Sequence, residues 1–218
     1  MLWTLASPRG VLHMHPVLLA YVGAVSLTGH VSADAANLLL DRGRAETADH
    51  SRHVAAAARR LAQRWGEDEA NAEAAGWLHD ISAIVPGDHR LHVTEMLGLE
   101  VLTEERLAPV LVHQKLSAAI AQEVFGITDR SVLSAIGCHT TLKANSSALD
   151  KIVFVADKIA WDQPGDPPYL ATMAAAADQS LELAAHCYLA YLWQRRKTLP
   201  AMHPWAVQAY RQLSGGGQ

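Results

Sequence analysis

From Pro16 to Leu199 apolar residues recur at spacings of three and four, and no stretch alternates as a half-buried strand would. Ala, Leu, Glu, Arg and Gln dominate, residues that lose little side-chain freedom in a helix. That period directs the chain to an all-α fold, and glycine, proline and capping residues divide it. Helices are expected from Pro16 to Leu27, from Asp34 to Arg42 before Gly43, and from an N-capping Thr47 to Trp65 before Gly66. Glu67 to Ile81 follows, then Asp88 to Leu97 beyond the Pro86-Gly87 break, Thr103 to Pro109, and Lys115 to Phe125 before Gly126. Asp129 to Cys138 comes next, and Ser147 caps a helix reaching Trp161. Asp162 to Pro168 reads as a rigid turn, and Tyr169 to Leu199 as one or two helices.

The chain's 218 residues suit one domain with helical additions. Residues 1–13 read as unstructured, with Met14 an alternative start; 14–45 as helices packed on the core; 46–162 as the central domain; and 163–218 as a C-terminal helical extension with a frayed Gly-rich end. Val17 to Leu27 imitates the apolar part of a secretory leader, followed by Val31-Ser32-Ala33. Pro16, His13 and His15 at its head and its short length favour a buried helix, with no membrane partner. A net charge of -4 without a basic block argues against nucleic acid. Cys138 and Cys187 stand far apart and form no framework, which fits a reducing, cytoplasmic setting.

Twelve histidines are many for this length, and several stand at expected helix ends. His79-Asp80 presents an imidazole beside a carboxylate where AAGWLHDIS ends a helix. His50 lies in TADHS, His113 after a Pro-initiated apolar segment, and His139 at the end of AIGCHTT. Asp157 sits among Ile152, Val153, Phe154, Val155, Ala156 and Ile159, where an unpaired buried carboxylate would be costly. Either it faces solvent beside Lys151 and Lys158, or it has a strong partner such as a metal. Imidazole and carboxylate together suit iron, manganese or zinc, and the lack of cysteine donors argues against a structural zinc site. With open positions such a set serves hydrolysis: a bound metal acidifies water, and a second neutralises phosphate oxygens.

The order His, His-Asp, His, His, Asp resembles the HD-domain superfamily of metal-dependent phosphohydrolases. Within it the chain is most similar to the bacterial symmetrical bis(5'-nucleosyl)-tetraphosphatases, which split diadenosine tetraphosphate into two ADP. AETADHSRHVA, AGWLHDI, HQKLSAAIAQEVFGI, AIGCHTT and LDKIVFVADKI carry the likeness, from about Leu39 to Trp161. The resemblance implies a helical bundle with a central site for two divalent metals, iron foremost, with manganese or zinc as substitutes. His50, His79, Asp80 and Asp157 would hold one metal, Asp80 would bridge to the second, and His113 and His139 would complete it. His79 and Asp80 would form the catalytic centre. The implied partner is a small nucleotide, and a homodimer is compatible with the likeness.

Candidate substrate contacts are Lys115, Thr140, Thr141 and Lys143, with Lys158 beside Asp157. His53, one helical turn from His50, could support it. His89, His92, His186 and His203 read as surface or satisfied core residues, and Trp161, Trp193 and Trp205 as packing, a tryptophan near Asp157 being a candidate wall for a base. The chain departs from the family where Ile81-Ser82-Ala83 replaces a stretch often bearing Lys, where His53 stands for Arg, and where Leu142 follows HTT in place of Gly. These departures bear on the phosphate pocket. They leave open an HD-type hydrolase for another nucleotide or phosphoester, or a nucleotide-binding regulatory module without turnover.

Overall fold

The computed structural model describes residues 5–7, 10–12, 14–162 and 164–215. Its helices are α1 (Pro16–Val22), α2 (Val31–Asp41), α3 (Ala45–Trp65), α4 (Glu69–Leu78), α5 (Arg90–Met96), α6 (Thr103–Leu107), α7 (His113–Glu123), α8 (Arg130–Cys138), α9 (Ala148–Ile159), α10 (Leu170–Ala177), α11 (Leu181–Arg195) and α12 (Pro204–Leu213). Short 3-10 turns at Ile81–Ile84, Gly87–His89 and Pro109–Val112 join some of them. Within the segment expected to be unstructured, β1 (Leu5–Ser7) and β2 (Gly10–Leu12) pair antiparallel. Apart from this hairpin the described architecture is all-α. No described helix is long and apolar enough to cross a membrane.

Local chemistry accounts for the boundaries that differ from expectation. Helix α1 stops at Val22 because Gly23 turns left-handed at φ 63°, and Arg42 binds the carbonyls of Tyr21 and Val22. Helix α3 starts at Ala45, so Thr47 lies in its first turn and caps nothing. Helix α9 begins as expected: Ser147 and Asp150 form a reciprocal capping box, with Asp150 N donating to Ser147 Oγ at 3.1 Å and Ser147 N to Asp150 Oδ2 at 2.9 Å. Ser180 accepts from Glu182 N and Leu183 N, which separates α10 from α11. Helix α12 went unread, although Pro204 at its first position is a start signal.

Helix α3 is the spine. It packs on α4, α9 and α2, and α8 closes the layer against α4, α7 and α9. The C-terminal helices are stacked on this core through α9: α10 and α11 both contact it, and α12 packs on α11. Leu78, Ile81, Leu116, Ile120, Ile136, Ile152 and Phe154 lose all contact with water. Helices α3 and α4 approach so closely that a Cβ on Gly76 would lie 2.5 Å from Ala55 Cα and 2.8 Å from Ala55 N. Backbone cannot yield as a flexible side chain can, so Gly76 fixes the distance between the helices that carry His50 and His79. Gly76→Ala is expected to destabilise the protein by about 1–3 kcal/mol, typical of overpacking. A urea midpoint equal to wild type would show that the approach relaxes freely.

Candidate metal centre

Five of the six candidate donors sit at or near helix ends that converge on one point, Asp80 among them as the residue after His79. His79 follows α4 directly, His113 opens α7, His139 follows α8, and Asp157 lies in the last turn of α9. His50 comes from the second turn of α3. A helix end leaves carbonyls without intrahelical partners. Three histidines use that supply, or the equivalent turn: His79 Nδ1 lies 2.7 Å from Gly76 O, His139 Nδ1 2.8 Å from Ile136 O, and His113 Nδ1 2.5 Å from Val110 O. A carbonyl can only accept, so each Nδ1 carries a proton and each Nε2 is the nitrogen left to face inward. His50 Nδ1 lies 3.0 Å from Asp162 Oδ2, a carboxylate–imidazole pair of the same kind.

The Nε2 atoms all turn inward. His113 Nε2 and His139 Nε2 stand 2.9 Å apart, two acceptors facing each other. His79 Nε2 is fully buried with no hydrogen-bond partner among the described residues. Asp80 divides its oxygens: Oδ1 is 3.3 Å from His113 Nε2 and 3.5 Å from His139 Nε2, and Oδ2 is 3.6 Å from His79 Nε2. Asp157 Oδ1 is 3.1 Å from His50 Nε2 and 3.5 Å from His79 Nε2, and its Oδ2 accepts from Lys158 Nζ at 2.5 Å. Two donor triads result, His50–His79–Asp157 and His79–Asp80–His139, the donor atoms in each within 4.8 Å of one another. Opposed lone pairs, an unpartnered buried nitrogen and clustered carboxylates together fit a bound cation.

The electrostatics agree. Burial pushes the pKa of His139 down to about 4 and lowers that of His113, despite Asp80, which leaves both rings neutral as ligands must be. His79 differs: burial would lower it, but Asp80 and Asp157 outweigh that and hold the ring up at about 9, so a bound cation would take the place of the proton on its Nε2. Burial acts to raise Asp80, and the surrounding imidazoles hold it well below the carboxylate range. A cleft of about 390 Å³ opens on the centre. Its described lining holds four carboxylates, from Glu46, Asp80, Asp157 and Asp162, against one lysine, Lys158. Lys158 is committed to Asp157 and to His139 O at 2.7 Å.

Of the expected substrate contacts, Thr140 lines the cleft, with Oγ1 2.9 Å from His113 Nε2. The other three are placed elsewhere. Lys115 lies about 200° around α7 from His113 and so points away from the centre. Its Nζ is 2.8 Å from Glu105 Oε1 and donates to Glu100 O at 2.8 Å. Thr141 is buried against Gln114, Oγ1 to Oε1 3.1 Å. Lys143 donates to Ser134 Oγ at 2.5 Å and stands 3.5 Å from Asp150. His53 is exposed, 3.8 Å from Asp49, and touches none of the donors. Leu142 adopts the left-handed φ of 54° with its side chain buried, a backbone conformation that glycine would take at less cost. Asp162, Tyr169 and Tyr188 also line the cleft. Sequence reading missed them because the turn after α9 and the face of α11 carry no motif.

Comparison with known proteins defines the class. The HD domain family matches residues 47–162, more than half of the chain, and the chain belongs to it. A crystal structure described as a predicted HD superfamily hydrolase involved in NAD metabolism, from Clostridium acetobutylicum, shares the fold with a TM-score of 0.78 and 27% identity, over 85% of this chain and 97% of that one. More particular relatives follow. An uncharacterized protein in the pepC 5' region of Lactococcus lactis subsp. cremoris is 44% identical over 64% of this chain and 70% of its own length. Symmetrical bis(5'-nucleosyl)-tetraphosphatases of Staphylococcus aureus and Bacillus subtilis are 32% and 31% identical over 54% and 45% of this chain. The matches span 58% and 53% of those enzymes.

The placement of Lys115 generates a test. Burial would raise the Glu105 carboxyl, but His203, Lys115 and the Leu102 N–H outweigh it and hold it at about 2. Lys115→Met is expected to cost about 3 kcal/mol at neutral pH, because it leaves a buried carboxylate short of its cation. With a folded pKa below the ordinary 4.5, the carboxylate stabilises fully above 4.5 and that contribution is lost as pH falls toward 2. Urea unfolding at pH 7 and pH 3 should therefore show the deficit shrinking in acid. Wild-type stability with weakened nucleotide binding would return Lys115 to the substrate.

Proposed function

We propose that this chain is a metal-dependent phosphohydrolase that cleaves diadenosine tetraphosphate symmetrically to two ADP. The observation that carries this reading is the pair of donor triads sharing His79, with Asp80 set to bridge them. Two relatives bearing the symmetrical tetraphosphatase name support the substrate.

Two divalent ions, iron foremost with manganese or zinc as substitutes, would be held by His50, His79, Asp80, His113, His139 and Asp157. When bound, they would supply water acidic enough to attack phosphorus near neutral pH, and positive charge for the phosphate oxygens. The chain's own residues do the rest. Nδ1 contacts fix each ring so that its Nε2 meets the centre. Lys158 holds the outer oxygen of Asp157, which leaves Oδ1 for the centre. Thr140 places a hydroxyl at the cleft wall. Water oxygen forms the new bond to one inner phosphorus, the bond from that phosphorus to the central bridging oxygen breaks, and the water's protons leave with the two ADP products. The described lining's four carboxylates and one committed lysine cannot neutralise a polyphosphate alone, so substrate binding should depend on the metals.

The Ile81-Ser82-Ala83 stretch favours a second reading, an HD-type hydrolase for another nucleotide or phosphoester. Those residues form a 3-10 turn with Ile81 and Ser82 buried and supply no cation. Product analysis with manganese- or iron-loaded protein separates the two: ADP as sole product supports symmetrical cleavage, and turnover of monophosphates alone supports the second. Asp80→Asn is expected to lower bound metal and reduce turnover at least a hundredfold, of the order lost with a catalytic metal's supports. Near-normal metal content and turnover in this variant would remove Asp80 from the centre.

A further inference from the structure

Beyond the metal centre the cleft runs into a second hollow of about 390 Å³. The two share Trp161, Tyr169 and Tyr188, and the second adds Tyr191 and the turn from Pro164 to Pro167. Tyr188 and Tyr191 are three apart on α11, so they share a face. Tyr169 packs against both, with ring centroids 4.8 Å and 5.0 Å away. Tyr188 also rests on Phe154 at 5.7 Å, which ties the cluster to the core. Across the hollow the Trp161 indole donates to Gly165 O at 2.8 Å, yet 39% of the residue stays exposed. A pinned, water-exposed indole lining the same hollow as three tyrosines offers a stacking surface formed before any ligand arrives.

The charge of this hollow sets its ligand. Among its described lining residues Asp166 carries the only charge, and neither Lys nor Arg is present. A phosphate would find no cation in that lining, since Arg195, with its guanidinium 5.3 Å from the Tyr191 ring centroid, is not part of it. A flat, neutral group with N–H donors would be accepted, by stacking on the rings and donating to the carboxylate. The chemistry therefore changes along one continuous cleft, from metal donors that suit phosphate to aromatic rings that suit a base.

We infer that the hollow bounded by Trp161, Tyr169, Tyr188 and Tyr191 is the site for one nucleobase of the nucleotide whose phosphates lie at the metal centre. The inference rests on the nucleotide reading above and adds where the base binds and which residues select it. The C-terminal extension thereby contributes to substrate choice, since α11 supplies two of the rings.

The test uses manganese-loaded full-length protein and calorimetric binding of ADP and of inorganic pyrophosphate, which lacks a base. Wild type should bind ADP more tightly, and Trp161→Ala should lower the ADP-to-pyrophosphate affinity ratio about tenfold or more, the range of one base–aromatic stack. Trp161→Phe should restore most of the ratio, and Tyr191→Ala should lower it. A wild-type ratio near one, or a ratio unmoved by Trp161→Ala and Tyr191→Ala, overturns the base site. If the ratio responds as expected but diadenosine tetraphosphate yields no ADP, the proposed reaction fails while the base site stands. If that substrate is cleaved and the ratio does not respond, the base site alone fails.

Discussion

The structure depends on one contact made three times: a histidine just past a helix or turn returns its Nδ1–H to the carbonyl three residues earlier. The contact uses an acceptor that the helix end leaves over, and it settles which nitrogen faces inward. Its consequence would be unfavourable in a purely structural core. Lone pairs of His113 and His139 oppose each other at 2.9 Å, and His79 Nε2 is buried without a hydrogen-bond partner among the described residues. A fold that concentrates acceptors and carboxylates in this way is stable when a cation joins them. The bundle is therefore built around its charge balance as well as its apolar core.

Packing delivers the precision that such a site needs. Gly76 serves two ends: its missing side chain lets α4 lie against α3, and its carbonyl orients His79. Gln114, buried behind the centre, binds the backbone N–H groups of Thr140 and Thr141 and so steadies the loop after His139. Lys158 neutralises the outer face of Asp157 and reaches His139 O, joining α9 to the end of α8. The C-terminal helices cover the opposite wall, where the cleft turns aromatic.

Much of this was legible in the residues. The three-four period gave the helices, and Ser147 marked the start of α9 correctly because a capping box is a local device. Asp157 stood out because an apolar helix has little reason to carry a carboxylate without a partner. The residues that lie away from the cleft share a cause. Lys115 was placed by sequence distance from His113, but two residues along a helix lead to the opposite side, where Glu105 waits. Thr141 and Lys143 follow His139 closely, yet Gln114 holds the Thr141 hydroxyl inside the core and the left-handed turn at Leu142 carries Lys143 to Ser134. Asp162, Tyr188 and Tyr191 reach the site only through the packing of α9 and α11, which no local pattern announces.

The most direct test of the central account is a crystal structure of the manganese-loaded protein with anomalous scattering recorded at the metal edge. The account predicts two peaks per chain, one among His50, His79 and Asp157, the other among Asp80, His113 and His139, with Asp80 reaching both. A single peak outside these donors, or none at saturating metal, would contradict it.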